Sequence, residues 1–187
     1  MKNEKREEAI IMTYTGRHID LMCPQLEQIH IDDIAWPLCS AARFVGHTAR
    51  TYTVGEHLML GVDYCTPEAR LAWLSHDFTE AYLGDVSGPL KRMLGMQFYR
   101  DLETLWDGAI CDRFGLPRKR PKEVELIDRR MLVTEQRDLT GRRPESTDKF
   151  KPFPMHLSPV EQSREHLAEQ FLAMFYDLVG KTPGAKR

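Results

Sequence analysis

The sequence predicts an all-α fold, with residues 1–187 forming one domain built as a bundle of about six to eight helices. Three observations lead there. Apolar residues recur every three or four positions in several stretches, strand-like alternation is nearly absent, and proline, glycine and capping residues punctuate the intervals. At 187 residues and 42% hydrophobic content, the chain is long and apolar enough for a full core.

Taken in order, residues 1–10 read as a solvated tail or frayed helix. Residues 11–22 mix β-branched and aromatic side chains around Gly16, which suits a short hairpin or an extended flap. Helix is expected over 31–45, with Asp32 or Asp33 capping its start and Pro37 kinking its first turn. A loop then reaches Thr53, an N-cap for a helix running to about Tyr64. Thr66 and Pro67 restart the chain as N-cap and first helical residue. Leu71, Leu74, Phe78 and Tyr82 continue at helical spacing up to Gly84-Asp85. A short helix fits 89–94. Over 96–114, Phe98, Leu102, Leu105, Trp106, Ala109, Ile110 and Phe114 form an apolar stripe closed by Gly115 and Pro117. Pro121 opens the next helix, with Val124, Ile127, Met131 and Leu132 on its inner side. Residues 140–157 have a surface-loop composition. Ser158 to Glu161 match a capping box for a last helix that buries Leu167, Phe171, Met174, Phe175 and Leu178, and 180–187 are expected to be loose.

Composition narrows the function classes. A net charge of −2 argues against a partner that is a nucleic-acid polymer, while leaving room for a local phosphate pocket. No run approaches the roughly 18 apolar residues of a membrane span, and the charged start MKNEKREEAI lacks the apolar centre of a signal peptide. Cys23, Cys39, Cys65 and Cys111 form no Cys-x-x-Cys, which suits reduced, mostly buried thiols in a cytoplasmic protein.

The chemistry concentrates in residues 54–91. His76-Asp77 supplies two ligands suited to a divalent metal such as Zn, Mn, Co, Ni or Fe, although a His-Asp pair also arises by chance. Helical neighbours point about 100° apart, so one ion reaches both only at a helix edge with other helices closing the shell. His57, on the preceding helix, is either a third ligand or an ordinary core histidine. Asp128 lies among inward-facing apolar residues, where a carboxylate needs a cation, either a metal or an arginine such as Arg129 or Arg130.

Glu80 follows His76 by one turn, about 6 Å along the helix. That offset suits a carboxylate that takes a proton from a metal-activated water; the bland reading is a solvated glutamate. Asp85 orients the same water or protonates a leaving oxygen, or simply ends a helix. Lys91 and Arg43, with Arg92, offer cations for phosphate oxygens, and Phe44 beside Arg43 offers a wall for a base or sugar. The RKRPK run at 118–122 reads as a solvated helix start, and His18, His30, His47, His156 and His166 read as structural.

Together these residues resemble the HD-domain metal-dependent phosphohydrolase superfamily. Its order of His, His-Asp and a distant Asp on a helical bundle maps onto His57, His76-Asp77 and Asp128. The likeness is closer to the 5′-deoxynucleotidase-like branch, through Arg43-Phe44, Glu56-His57, HDFTEA at 76–81, Gly84-Asp85 and PLK at 89–91. DDIAWPLCSAARFVGHT at 32–48 and VSGPLKR at 86–92 are also similar to small phage and bacterial HD hydrolases, among them phage dATP triphosphohydrolases. The resemblance covers about residues 31–137.

It implies an HD bundle with a divalent metal (Zn, Mn or Co, with Mg or further ions on the substrate phosphates), Glu80 and Asp85 as catalytic carboxylates, and Lys91 and Arg43 on the phosphates. Phe44 and Pro89 would wall the base. The implied reaction is hydrolysis of dATP to deoxyadenosine and triphosphate, extending to dADP or dAMP, in a homo-oligomer, dimer or hexamer. Relatives on this scaffold leave other activities open: a 5′-deoxynucleotidase acting on dNMPs, a dinucleotide phosphodiesterase, or a non-catalytic nucleotide or metal sensor.

Overall fold

The computed structural model describes residues 9–93, 95–142 and 149–182; most of the expected N-terminal tail, the middle of the 140–157 loop and the last five residues lie outside them. The fold is all-α apart from one small hairpin. In it, β1 (Ile10–Met12) pairs antiparallel with β2 (His18–Asp20), placing Ile11 opposite Ile19.

The helices are α1 (Asp32–Leu38), α2 (Val54–Gly61), α3 (Arg70–Leu74), α4 (Glu80–Leu83), α5 (Gly88–Lys91), α6 (Gln97–Phe114), α7 (Lys122–Leu139) and α8 (Arg164–Lys181). Packed against α1, α2 and α3, α8 centres the core, and Phe171 and Phe175 from it meet Phe78 and Phe114. No described helix is long and apolar enough to cross a membrane.

Several local expectations are corrected. Helix α1 stops at Leu38, because the chain beyond it spends its backbone bonds elsewhere: Ala42 bridges to Thr53, and the Arg43 amide donates to the Tyr52 carbonyl at 2.9 Å. Residues 44–46 then turn through the left-handed region, with φ of 55° at Phe44, 54° at Val45 and 76° at Gly46. Asp33 does not cap α1. It is buried and accepts the Thr15 amide and hydroxyl, each at 2.7 Å, which ties the hairpin to the bundle.

Thr53 behaves as expected, forming a reciprocal capping box with Glu56. Thr66 does not cap; its amide and hydroxyl both donate to Glu123 at 2.8 Å, and a 3₁₀ turn over Pro67–Ala69 leads into α3. The helix expected through residues 67–83 is broken between α3 and α4. Helix α8 begins later than the Ser158–Glu161 pattern implies. Ser163 caps it by accepting the His166 amide, whereas Glu161 accepts the Thr51 amide at 2.7 Å.

On α6 the stripe holds for Trp106, Ile110 and Phe114, but Phe98 and Leu105 are exposed. Residues 149–157 are not a plain surface loop. Phe153 and Leu157 are buried, and their amides donate to Thr134 and Asp138 of α7.

Candidate metal centre

Three pieces of chain bring the centre together. His57 is fully buried on α2, whose first turn the capping box fixes. His76 and Asp77 sit in the break between α3 and α4, outside any regular helix, so the angular separation of helical neighbours does not apply. Asp128 comes from α7, with its side chain 36% exposed at the rim of a cavity. Asp77 Oδ2 lies 3.3 Å from His76 Nε2 and 4.0 Å from His57 Nε2; Asp128 Oδ1 lies 3.6 Å from His57 Nε2 and 4.0 Å from His76 Nε2. The ligand atoms of His57, His76 and Asp128 all fall within 4.8 Å of one another. Ligands about 2.1 Å from a shared ion stand roughly 3.0–4.2 Å apart.

The protons decide what these distances mean. His57 Nδ1 lies 2.6 Å from Glu135 Oε1, and His76 Nδ1 lies 2.7 Å from the Trp73 carbonyl. A carboxylate and a carbonyl accept only, so each Nδ1 carries a hydrogen, and in the neutral ring each Nε2 presents a lone pair. Both Nε2 atoms are buried and have no hydrogen-bond partner. Burial holds His76 below the usual imidazole range, which keeps it neutral. Burial pushes Asp77 up, but the positive charge facing it, from Arg43 and Lys91 among others, pulls it below the usual carboxylate range. With neutral rings, two lone-pair nitrogens and two carboxylate oxygens face one another, and neither nitrogen has a hydrogen-bond partner. Such a set fits a divalent cation, and His57, His76 and Asp128 could hold one. The arginines that were the alternative partners for Asp128 point elsewhere: Arg129 lies near Glu125, and Arg130 donates to the Lys151 carbonyl.

Around this centre, Glu80 is buried on α4 with Oε2 unpartnered. Burial, then Asp77 and Asp85, push it up to about 9. Burial and Asp77 also raise Asp85. Lys91 Nζ stands 3.6 Å from Glu80 Oε1 and 2.7 Å from Glu103 Oε1. Arg43 is largely buried, 3.7 Å from Asp77 Oδ2 and 3.2 Å from Glu135 Oε2. Phe44 is half-buried with its ring beneath the Arg43 guanidinium, while Pro89 is exposed in the first turn of α5; neither lines the two cavities at the centre. Arg92 is exposed.

Both cavities are walled by His76 and Arg120. One, of about 330 Å³, adds Lys122, Val124 and Asp128. The other, of about 250 Å³, adds Asp77, Glu80, Lys91 and Glu103.

Sequence reasoning missed Glu135, Arg120 and Glu103. Glu135 follows Asp128 by seven residues, two turns along the same face of α7, and that spacing was the available signal. Arg120 belongs to the run read as solvated; it pairs instead with Asp107 beside the centre.

No family model matches the sequence. The chain is 37% identical over 131 residues to YfdR of Escherichia coli (strain K12), an uncharacterized protein, and the match covers 70% of this chain and 72% of that one. The chain belongs to the YfdR family. An uncharacterized protein of Rhodobacter capsulatus is 36% identical over 121 residues, a match covering 59% of this chain and 61% of the relative. The chain spans less than two thirds of the Rhodobacter protein's length.

Proposed function

We propose that this chain is a divalent-cation-dependent phosphohydrolase of the HD-domain kind, acting on deoxynucleotides with dATP as its preferred substrate. The observation that carries the reading is the pair of buried, unpartnered Nε2 atoms of His57 and His76, closed by Asp77 and Asp128. The substrate class rests on the resemblance of residues 31–137 to deoxynucleotide hydrolases.

His57, His76, Asp77 and Asp128 would hold the cation, which supplies Lewis-acid polarisation of a phosphoryl oxygen and a more acidic water. The chain's own groups do the rest. Glu80 has a buried oxygen without a partner; burial, Asp77 and Asp85 hold its carboxyl protonated near neutrality, and the charge of a cation beside it would favour the ionised form that takes the proton of the attacking water. As the new P–O bond forms and the ester P–O bond breaks, the leaving oxygen takes a proton, a role that the family resemblance gives to Asp85. Lys91 in one cavity, and Arg120 where the two meet, face the charge that gathers on the phosphoryl oxygens. Arg43 is engaged by Asp77 and Glu135, so its charge reaches the phosphates from behind the ligands.

Retention of Glu80 beside a full ligand set favours catalysis over a silent sensor. The test is a panel of dNTPs and dNMPs with Mn²⁺, Co²⁺, Zn²⁺ and Mg²⁺, with products separated by anion exchange. Triphosphate and deoxyadenosine from dATP are expected, and Glu80→Ala should bind cation yet lose turnover. Absence of hydrolysis across the panel, or full turnover by Glu80→Ala, would overturn the proposal.

A further inference from the structure

We infer that Glu135 is a positioning residue for the cation centre, fixing the His57 imidazole directly and the Asp77 carboxylate through Arg43. The inference rests on the proposed reading of the four-residue cluster as a cation centre. Glu135 is fully buried on α7, and its hydrogen-bond and ion-pair partners all come from distant stretches of the chain. Oε1 accepts from His57 Nδ1 at 2.6 Å and from the Tyr52 hydroxyl at 3.1 Å. Oε2 accepts from Arg43 Nε at 3.2 Å and lies 3.2 Å from a terminal Arg43 nitrogen. The other terminal nitrogen of Arg43 is 3.7 Å from Asp77 Oδ2. One buried carboxylate therefore reaches two of the four ligands, each by a different route.

The first route sets a tautomer. An acceptor at Nδ1 forces the hydrogen there and leaves Nε2 as a lone pair aimed at the centre. The second sets a direction, because Arg43 is clamped between Glu135 and Asp77 and cannot follow one without pulling on the other. The backbone supports that placement at some strain. Phe44 and Val45, directly after Arg43, hold φ of 55° and 54°, which L side chains rarely adopt. A merely structural ion pair would require none of this convergence on the ligands.

The experiment compares wild type, Glu135→Gln and Glu135→Leu by two measurements. The His57 tautomer in the cation-free protein is read from ¹⁵N ring shifts, and Mn²⁺ and Zn²⁺ affinities are read by calorimetry. Wild type should show a single Nδ1–H tautomer. The Gln variant keeps an acceptor for His57 but releases Arg43, so the tautomer should persist while affinity falls about 10-fold. The Leu variant should show mixed tautomers and a loss of up to about 100-fold. A folded Leu variant with one tautomer and wild-type affinity overturns the role. Should that variant not fold, unchanged affinity in the Gln variant, or a wild-type His57 bearing its proton on Nε2, overturns it instead. Wild type that takes up neither cation overturns the functional reading itself, and its own titration separates that result from a failure of Glu135 alone.

Discussion

Glu103 on α6 holds Lys91 at the end of α5, with 2.7 Å between Oε1 and Nζ, and Glu80 stands 3.6 Å from the same nitrogen. The ammonium is shared by two carboxylates while it lines the cavity beside His76 and Asp77. Removing it by Lys91→Met leaves both acids without their cation and takes from the cavity the ammonium proposed to meet a phosphate. The expected loss in kcat/KM is about 10²-fold. Glu103→Gln should do the opposite, freeing Lys91 for substrate and lowering KM by roughly 2- to 5-fold at low salt, with the gain fading as salt screens the site. Initial rates against ionic strength check both, and a raised KM for Glu103→Gln at low salt would count against the arrangement.

Gly61, the last residue of α2, lies against the Trp73 ring of α3. A Cβ built there would lie 2.0 Å from Trp73 Cζ2, inside a ring that also packs 4.6 Å, centroid to centroid, from His76. Trp73 cannot swing away cheaply, because its indole N–H donates to the Leu58 carbonyl at 2.7 Å. Gly61→Ala should therefore cost about 1–3 kcal/mol through overpacking, seen as a lower urea midpoint at unchanged slope. Since the Trp73 carbonyl also orients His76, divalent-cation affinity should fall in the same variant.

How legible the site was depended on what each residue's neighbours looked like. His76-Asp77 stands out as an adjacent ligand pair, His57 by its place on the preceding helix and Asp128 by its apolar neighbours in sequence; the structure brings the four together, with Asp128 at the rim rather than facing the core. The break at residues 75–79 was hidden, because Leu71, Leu74, Phe78 and Tyr82 keep helical spacing and are all buried even though the helix is interrupted. Burial was readable there, continuity was not. For Glu135 the only signal was its place two turns after Asp128 on the same face; its role came into view once Arg43 and Tyr52, more than eighty positions away, were folded against it.

The thiols give a prediction independent of catalysis. Cys23 is exposed, whereas Cys39, Cys65 and Cys111 are buried. Burial pushes Cys39 and Cys65 up to about 12 and raises Cys111 as well. A thiol so far above neutrality offers almost no thiolate. Titration with a disulfide reagent should find one fast thiol in the native protein and four after denaturation. A second fast thiol at native conditions would mean that one of these burials is absent in solution.

Asp138 carries the clearest acid dependence. Its oxygens accept from Arg137 Nε at 2.6 Å and Nη2 at 2.8 Å, and from the Leu157 amide at 2.9 Å. The Arg137 bonds, against a smaller opposing effect of burial, bring its pKa down to about 2. The folded value lies below the unfolded one of about 4, so the stabilisation is complete above that range and is lost as pH falls towards 2. Asp138→Asn should cost about 1–3 kcal/mol at neutral pH, with the gap from wild type closing between pH 4 and 2. Glu135, also brought down to about 2, titrates in the same window, so the absolute acid midpoint belongs to both groups and only the difference isolates Asp138. Urea unfolding of the two proteins at a series of pH values measures that difference. A gap that stays constant down to pH 2 would show that the Leu157 tether, rather than the charge, accounts for what Asp138 contributes.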